Sequence, residues 1–326
     1  MKNGVKWLMA GLVFGAAACS KEVQETPQPE DTVEVHFTIG TATGLDTRAT
    51  TTGGTFSRGE QVDRLVYAVY DAAGNLLEQF ADGTAGPGQA TTSVSACQAD
   101  VQLTLVRNQT YTVAFWAQSS QCTAYNTEDL HAVQISYDGA RCNDDTRDAF
   151  CKAETFTVVN HGQRAVTLTR PFAQINAGVA KSDYANFLTG WQSNGKSGAF
   201  AQTKLYAITP VATQFDVVTN SATGTTSEVV FDWNTFSDTN TFQIKDSDEE
   251  YIWLAMAYIL VDDTNESTST YRSELTSAGI AFGDSTGDPE PTGVAKLLIP
   301  DLTDTAPVQR NWSTNLILPA EFLLQR

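Results

Sequence analysis

The chain has 326 residues, with 38 acidic side chains against 20 basic ones and a formal net charge of -18. Such a surface repels nucleic-acid phosphates and anionic lipid, which excludes electrostatic binding to either. At 41% hydrophobic and 18% charged residues the chain can bury a core, while five Cys and three His leave little for metal or nucleophile chemistry.

The first segment reads as an export signal. Lys2 and Lys6 precede an apolar run, Trp7 to Gly15, too short to stay as a membrane span, and Ala16, Ala17 and Ala18 lead into Cys19. Small residues before a cysteine resemble a bacterial lipobox. Residues 1–18 are therefore expected to be a lipoprotein signal peptide and Cys19 the acylated (palmitate-bearing) first residue; an ordinary signal cut near Ala18 is the other reading. Residues 19–32 are polar, carry Pro27 and Pro29, and lack periodicity, as a flexible tether does. No later stretch is long and apolar enough for a membrane helix. Export places the rest in an oxidising compartment, so Cys97, Cys122, Cys142 and Cys151 are disulfide candidates with three possible pairings. No Cys-x-x-Cys pair and no His at ligand spacing occurs, so neither metal nor cofactor is expected.

Beyond the tether the texture is short alternating runs between Gly, Asn, Asp and Thr clusters. Val33, Val35, Phe37 and Ile39 alternate with Glu34, His36 and Thr38, the period of a half-buried strand. Arg64 to Tyr70 is a second strand, with Asp71 to Asn75 as a turn and Leu76 to Phe80 as the returning arm of a hairpin. Ala99 to Leu105 alternates, and Tyr111 to Ala117 is apolar enough to be a central strand covered on both faces. Further strands are expected at Ala165 to Thr169, Pro171 to Val179, Lys204 to Ile208 and Tyr251 to Val261. The last suits a short buried helix as well, although its aromatics favour a strand. Short helices are expected at Thr127 to Val133 and Ser182 to Leu188. The whole is an all-β sandwich architecture, divided by length into two domains near Leu168 to Phe172.

Enzyme chemistry finds little support. Gly283 to Pro289 has the residues of a surface turn, and none of His36, His131 or His161 stands in a context that would activate Ser285. Asp246, Asp248, Glu249, Glu250, Asp262 and Asp263 lack the spacing of a calcium loop and read as a solvated edge. Trp191, Trp233 and Trp312 could stack on a sugar, although core or interface placement is the commoner fate.

Four stretches carry a family resemblance: Asp63 to Asp71, Tyr111 to Gln118, the arginine-led run Leu168 to Asn176, and Pro307 to Leu316. With the lipobox, they make the chain resemble a Bacteroidales fimbrillin, a subunit of the type V pilus group. The resemblance implies two transthyretin-like β-sandwich domains with short helices in loops. The N-terminal domain would span 49–168, the C-terminal domain 169–326, and residues 33–48 would form a strand removed on maturation. It implies a structural and adhesive subunit that is not an enzyme, first an outer-membrane lipoprotein and then part of a cell-surface fimbrium. Its partners would be other pilus subunits, a trypsin-like maturation protease and, before cleavage, the outer membrane.

In that mechanism the protease cuts after an Arg beyond the first strand, which leaves, and a neighbour's strand fills the groove. Arg48, followed by Ala49 in a Gly- and Thr-rich loop, is the expected site, with Arg58 the competitor. Leu316, Leu318, Ala320, Phe322 and Leu324 alternate as a donor strand should, or as the last strand of their own domain, with Pro319 marking an edge or bulge. A surface glycan-binding lipoprotein is the alternative role, favoured by an exposed row of Trp. An acidic hydrolase, favoured by facing carboxylates, is the third.

Overall fold

The computed structural model describes residues 31–41, 51–52, 56, 59–82, 89–193, 195–196, 198–226, 228–244, 247–262, 275, 277–284, 295–299 and 308–323. Cys19, Arg48, Ala49, Arg58 and Leu324 lie outside the described residues, as do the signal segment and most of the tether.

In chain order the strands are β1 (Thr32–Thr41), β2 (Thr51–Thr52), β3 (Arg64–Tyr70), β4 (Gln89–Ser93), β5 (Gln98–Val106), β6 (Thr110–Gln118) and β7 (Tyr125–Asn126). Next come β8 (Val133–Ile135), β9 (Ala149–Thr157), β10 (Gly162–Leu168), β11 (Ala173–Ala180), β12 (Gln202–Thr209), β13 (Val211–Asp216) and β14 (Ser221–Thr226). The last are β15 (Asn234–Thr235), β16 (Thr241–Ile244), β17 (Glu250–Ile259), β18 (Ser277–Gly283), β19 (Ala295–Ile299) and β20 (Ser313–Ile317). One α-helix, α1 (Tyr184–Ser193), follows β11 and buries Phe187, Gly190 and Trp191, residues spaced to share one helical face. The all-β sandwich expected from the sequence is the fold.

The small sheet β10-β1-β5 covers one face of the sheet β4-β3-β6-β9. Their shared core takes Val33, Val35, Phe37 and Ile39 from β1, Leu65 and Val69 from β3, and Val113, Phe115 and Ala117 from β6. The opposite face of β3 and β6 puts Val66, Ala68, Ala114 and Trp116 into a second, larger core. β6 is thus covered on both faces, which explains its unbroken apolar run. The larger core is enclosed by the sheets β2-β16-β17-β11-β20, β15-β12-β18-β19 and β14-β13-β8-β7. The link between β10 and β11 holds the expected boundary at 168/169, and β8 pairs with β13 across it.

Two local expectations are corrected. Thr127 to Val133 is not a helix: Asn126 Oδ1 accepts from the Glu128 amide at 2.9 Å and Asp129 Oδ1 from the His131 amide at 2.8 Å, side-chain turns that compete with helical bonding. The turn after β3 forms, with Asp71 Oδ1 accepting from the amides of Ala73 and Asn75. The returning arm contributes only a bridge from Leu76 to Tyr70 before a 3-10 turn at Glu78–Phe80, and β4 becomes the hairpin partner. Tyr251 to Ile259 is strand, inside β17, while Lys181 to Ser193 holds the expected helix.

Candidate functional site

β1 lies in the middle of its sheet. It runs antiparallel to β5 from Thr32 to Gly40 and parallel to β10 from Val35 to Thr41. Its period of two turns Val33, Val35, Phe37 and Ile39 inward, all buried, and Glu34, His36 and Thr38 outward. Phe37 sits between Phe115 and Phe156, with ring centroids 5.4 and 5.6 Å away at steep angles, the arrangement that aromatic quadrupoles favour. On the outer side Thr38 Oγ1 donates to Asp100 Oδ1 at 3.3 Å, and the Glu34 amide donates to His161 Nδ1 at 3.0 Å. Each inward side chain contributes roughly 1.5–3 kcal/mol by burial. Withdrawing β1 would also unpair the facing edges of β5 and β10. This slot therefore holds a strand in place unless another takes over.

The Arg-led segment after β10 positions the link between the cores. Arg170 Nε donates to Asp148 Oδ1 at 2.6 Å and Nη2 to Oδ2 at 2.7 Å, and neither side chain is exposed. The guanidinium lies over the Phe150 ring, 4.4 Å from its centroid. Burial works against the Arg170 charge, but the Asp148 carboxylate outweighs it and holds the guanidinium pKa above its ordinary value.

At the other end of the chain β20 is an edge strand, parallel to β11 from Ser313 beside Gln174 to Ile317 beside Gly178. A buried polar ladder fixes that register: Ser313 Oγ donates to Gln174 Oε1 at 2.9 Å, Gln174 Nε2 to Asn176 Oδ1 at 2.9 Å, and Asn176 Nδ2 to Asn315 Oδ1 at 2.8 Å. Gln174 and Asn176 are fully buried, so losing β20 would strand amides at about 1–3 kcal/mol each. The sequence signal for this ladder is the pair of amides at alternate positions of an otherwise apolar strand, which hydrophobic alternation alone does not flag. The expected strand over 316–324 is corrected: Leu316 belongs to β20, Leu318 follows it, Pro319 interrupts, and Ala320 and Phe322 lie in a 3-10 turn, Ala320–Leu323. Proline has no amide hydrogen to continue the ladder.

The four disulfide candidates are free thiols in the described structure, each in its own surroundings. Cys142 Sγ accepts from the Leu205 amide at 3.2 Å, Cys151 pairs across strands with Trp116, and Cys122 lies in the loop after β6. Cys97 occupies a turn at φ 62°, its Sγ 3.9 Å from the Gly59 carbonyl oxygen. Burial pushes the thiols of Cys142 and Cys151 up to about 12. The tryptophans form no exposed row among the described residues: Trp191 is in the core, and Trp233 and Trp312 are half-buried. Of the acidic residues, Glu250 pairs with Lys181 at 2.6 Å and Glu249 accepts from Ser182 at 2.9 Å; Asp246 and Asp263 lie outside the described residues.

Residues 27–323 match the model of a family of unknown function, DUF6562. No curated protein matches the chain. Among solved structures it is similar to a candidate adhesin from Bacteroides ovatus, at 14% identity and TM-score 0.43, covering 88% of this chain and 87% of that one. A fimbrial assembly protein from Parabacteroides distasonis is similar at 12% identity and TM-score 0.36, covering 88% and 90%. The fimbrial anchor protein of Porphyromonas gingivalis is similar at 11% identity and TM-score 0.33, covering 77% and 78%.

Proposed function

The chain belongs to DUF6562, a family of unknown function, and we propose that it is an exported, non-catalytic subunit of an adhesive surface fibre, assembled by strand exchange at the β1 slot. The observation that carries the proposal is the placement of β1. A strand with four buried apolar positions sits between two others and ends seven residues before Arg48 in the sequence. The resemblance of four separate stretches to fimbrillins adds to it.

The steps follow from the residues. Cys19 carries the lipid that holds the precursor at the outer membrane through the tether. A trypsin-like protease cuts between Arg48 and Ala49, which separates β1 from the rest of the chain. A strand from a neighbouring subunit then occupies the vacated edges of β5 and β10. The C-terminal segment suits that role, because Leu318, Ala320, Phe322 and Leu324 repeat the spacing of Val33, Val35, Phe37 and Ile39, with the aromatic again third. In this reading the polar ladder keeps β20 on β11 as the fixed root. The segment from Leu318 onward, which in the free subunit turns through Ala320–Leu323 with Leu318 and Leu323 buried in the larger core, must leave that core to extend to the next subunit.

The test is mass spectrometry of the chain recovered from the cell envelope and from shed surface material. The expected result is acylated Cys19 in the envelope precursor and an N-terminus at Ala49 in the fibre. A surface-borne chain that keeps both Cys19 and β1 would sink strand exchange and leave a permanently anchored lipoprotein.

A further inference from the structure

The two ladders that hold β1 are unequal in length. The β5 ladder begins at Thr32, but the β10 ladder begins only at Val35. Beside the first residues of β1, main-chain pairing gives way to a side chain, with the Glu34 amide donating to His161 Nδ1. The turn from β9 to β10 there opens a cavity of about 260 Å³ lined by Val35, Phe156, Val158, Val159, Gly162 and Arg164 among others.

This cavity is built and held open. Arg107 Nη1 donates to the Val159 carbonyl at 2.7 Å and to Asn160 Oδ1 at 2.9 Å, which pins the turn. Arg164 lies over the Phe156 ring at 4.0 Å. Val159 turns outward at 57% exposure, more than Leu76, Val230 or Ile317, the other exposed large hydrophobic residues among those described. Exposed apolar surface continuous with a strand slot offers a foothold to an apolar strand.

We infer that this cavity is the insertion point for the incoming strand, which docks its leading apolar residue against Val159 beside Thr32–Glu34 and then displaces β1 toward Thr41. The inference rests on the strand-exchange reading and adds where exchange starts and in which direction. The occupant is an extended strand of another subunit running in the same direction as β1, the orientation that remakes both existing ladders, parallel to β10 and antiparallel to β5. β1 loosens first where one ladder alone holds it, so the rate is set there, while the final affinity comes from the whole slot.

The experiment cleaves the purified chain after Arg48 and follows uptake of a fluorescent peptide of sequence Asp31 to Thr41 by anisotropy. Val159→Asp should slow uptake by about tenfold, the size of roughly 1.4 kcal/mol in the barrier, with its thermal unfolding midpoint unchanged. Val230→Asp, at an exposed apolar site lining a different cavity, should exchange at the wild-type rate. A peptide beginning at Val35 should also enter more slowly than the full one. Val159→Asp exchanging within about twofold of wild type, or both Asp variants slowing alike, would overturn the insertion point while leaving strand exchange standing. If the wild-type protein takes up no peptide at all, the strand-exchange reading fails and the insertion point falls with it.

Discussion

Arg170 grips both carboxylate oxygens of Asp148 at 2.6 and 2.7 Å where neither side chain meets solvent, and its guanidinium is stacked on Phe150. Asp148 immediately precedes β9 and Arg170 leads from β10 into β11, so the pair ties the sheet over the smaller core to the strand entering the larger one. Asp148→Ala leaves a buried guanidinium without its counter-charge and should cost about 3–5 kcal/mol in urea unfolding. The double variant Asp148→Leu with Arg170→Met should recover most of that loss. A single variant as stable as wild type would show that the pair carries no structural charge balance.

Gly279 on β18 faces Tyr206 on β12, and a Cβ there would lie 2.5 to 2.9 Å from three atoms of the Tyr206 ring. The ring covers the bare backbone, so the glycine is required by close approach and not by dihedral freedom. Gly279→Ala should cost about 1–3 kcal/mol through overpacking. Combining it with Tyr206→Thr should give less than the sum of the two single losses, which a double-mutant cycle in thermal unfolding will show.

The elements legible in the sequence were those with a one-sided or doubly apolar pattern. β1, β5 and the doubly covered β6 and β17 carry their environment in their periodicity. β4 (Gln89–Ser93) and β14 (Ser221–Thr226) are Thr-, Ser- and Ala-rich, and the first is held by its pairing with β3 and by hydrogen bonds with Asp82, which no local pattern reveals. The slot around β1 was half legible: the strand announced itself, but β5 and β10 as its two neighbours are non-local facts. The polar ladder from Ser313 to Asn315 was hidden for a different reason. Ser, Gln and Asn read as surface residues until pairing places Gln174 and Asn176 at zero exposure.

Thiol counting tests the cysteines. Unfolded without reductant, the protein should show Cys97, Cys122, Cys142 and Cys151 all reactive toward a thiol reagent, in addition to Cys19 where it is not acylated. In the folded protein at pH 8, Cys97, half-buried, should react first. Two missing thiols in the unfolded protein would mean that a disulfide forms after all.

The same thiols set an alkaline limit. Burial raises Cys142 and Cys151 from 9.0 to about 12, and Tyr137 from 10.0 to about 12. The folded protein keeps these protons while the unfolded chain releases its thiol protons near pH 9. Their stabilisation is therefore full below pH 9 and is lost as pH climbs toward 12, at up to roughly 1.4 kcal/mol per unit for each group. Urea midpoints from pH 8 to 11 should fall, and Cys142→Ala with Cys151→Ala should flatten the slope without abolishing it, because Tyr137 remains.

Phe37 distinguishes holding β1 from merely decorating it. Its ring fills the space between Phe115 and Phe156, whereas Thr38, one residue on, points outward to Asp100. Phe37→Ala removes the largest inward side chain of the strand and should cost about 3–5 kcal/mol. Thr38→Ala loses one exposed hydrogen bond and should change stability by less than about 0.5 kcal/mol. Hydrogen exchange gives the sharper readout. In Phe37→Ala the amides of β1 and of the facing edges of β5 and β10 should lose protection together, while β11 and β17 keep theirs. That pattern would show β1 opening as a unit apart from the larger core, as a replaceable strand must. Loss of protection spread evenly over both cores would mean that β1 is part of one indivisible fold, and its removal would then unfold the subunit instead of preparing it for a partner.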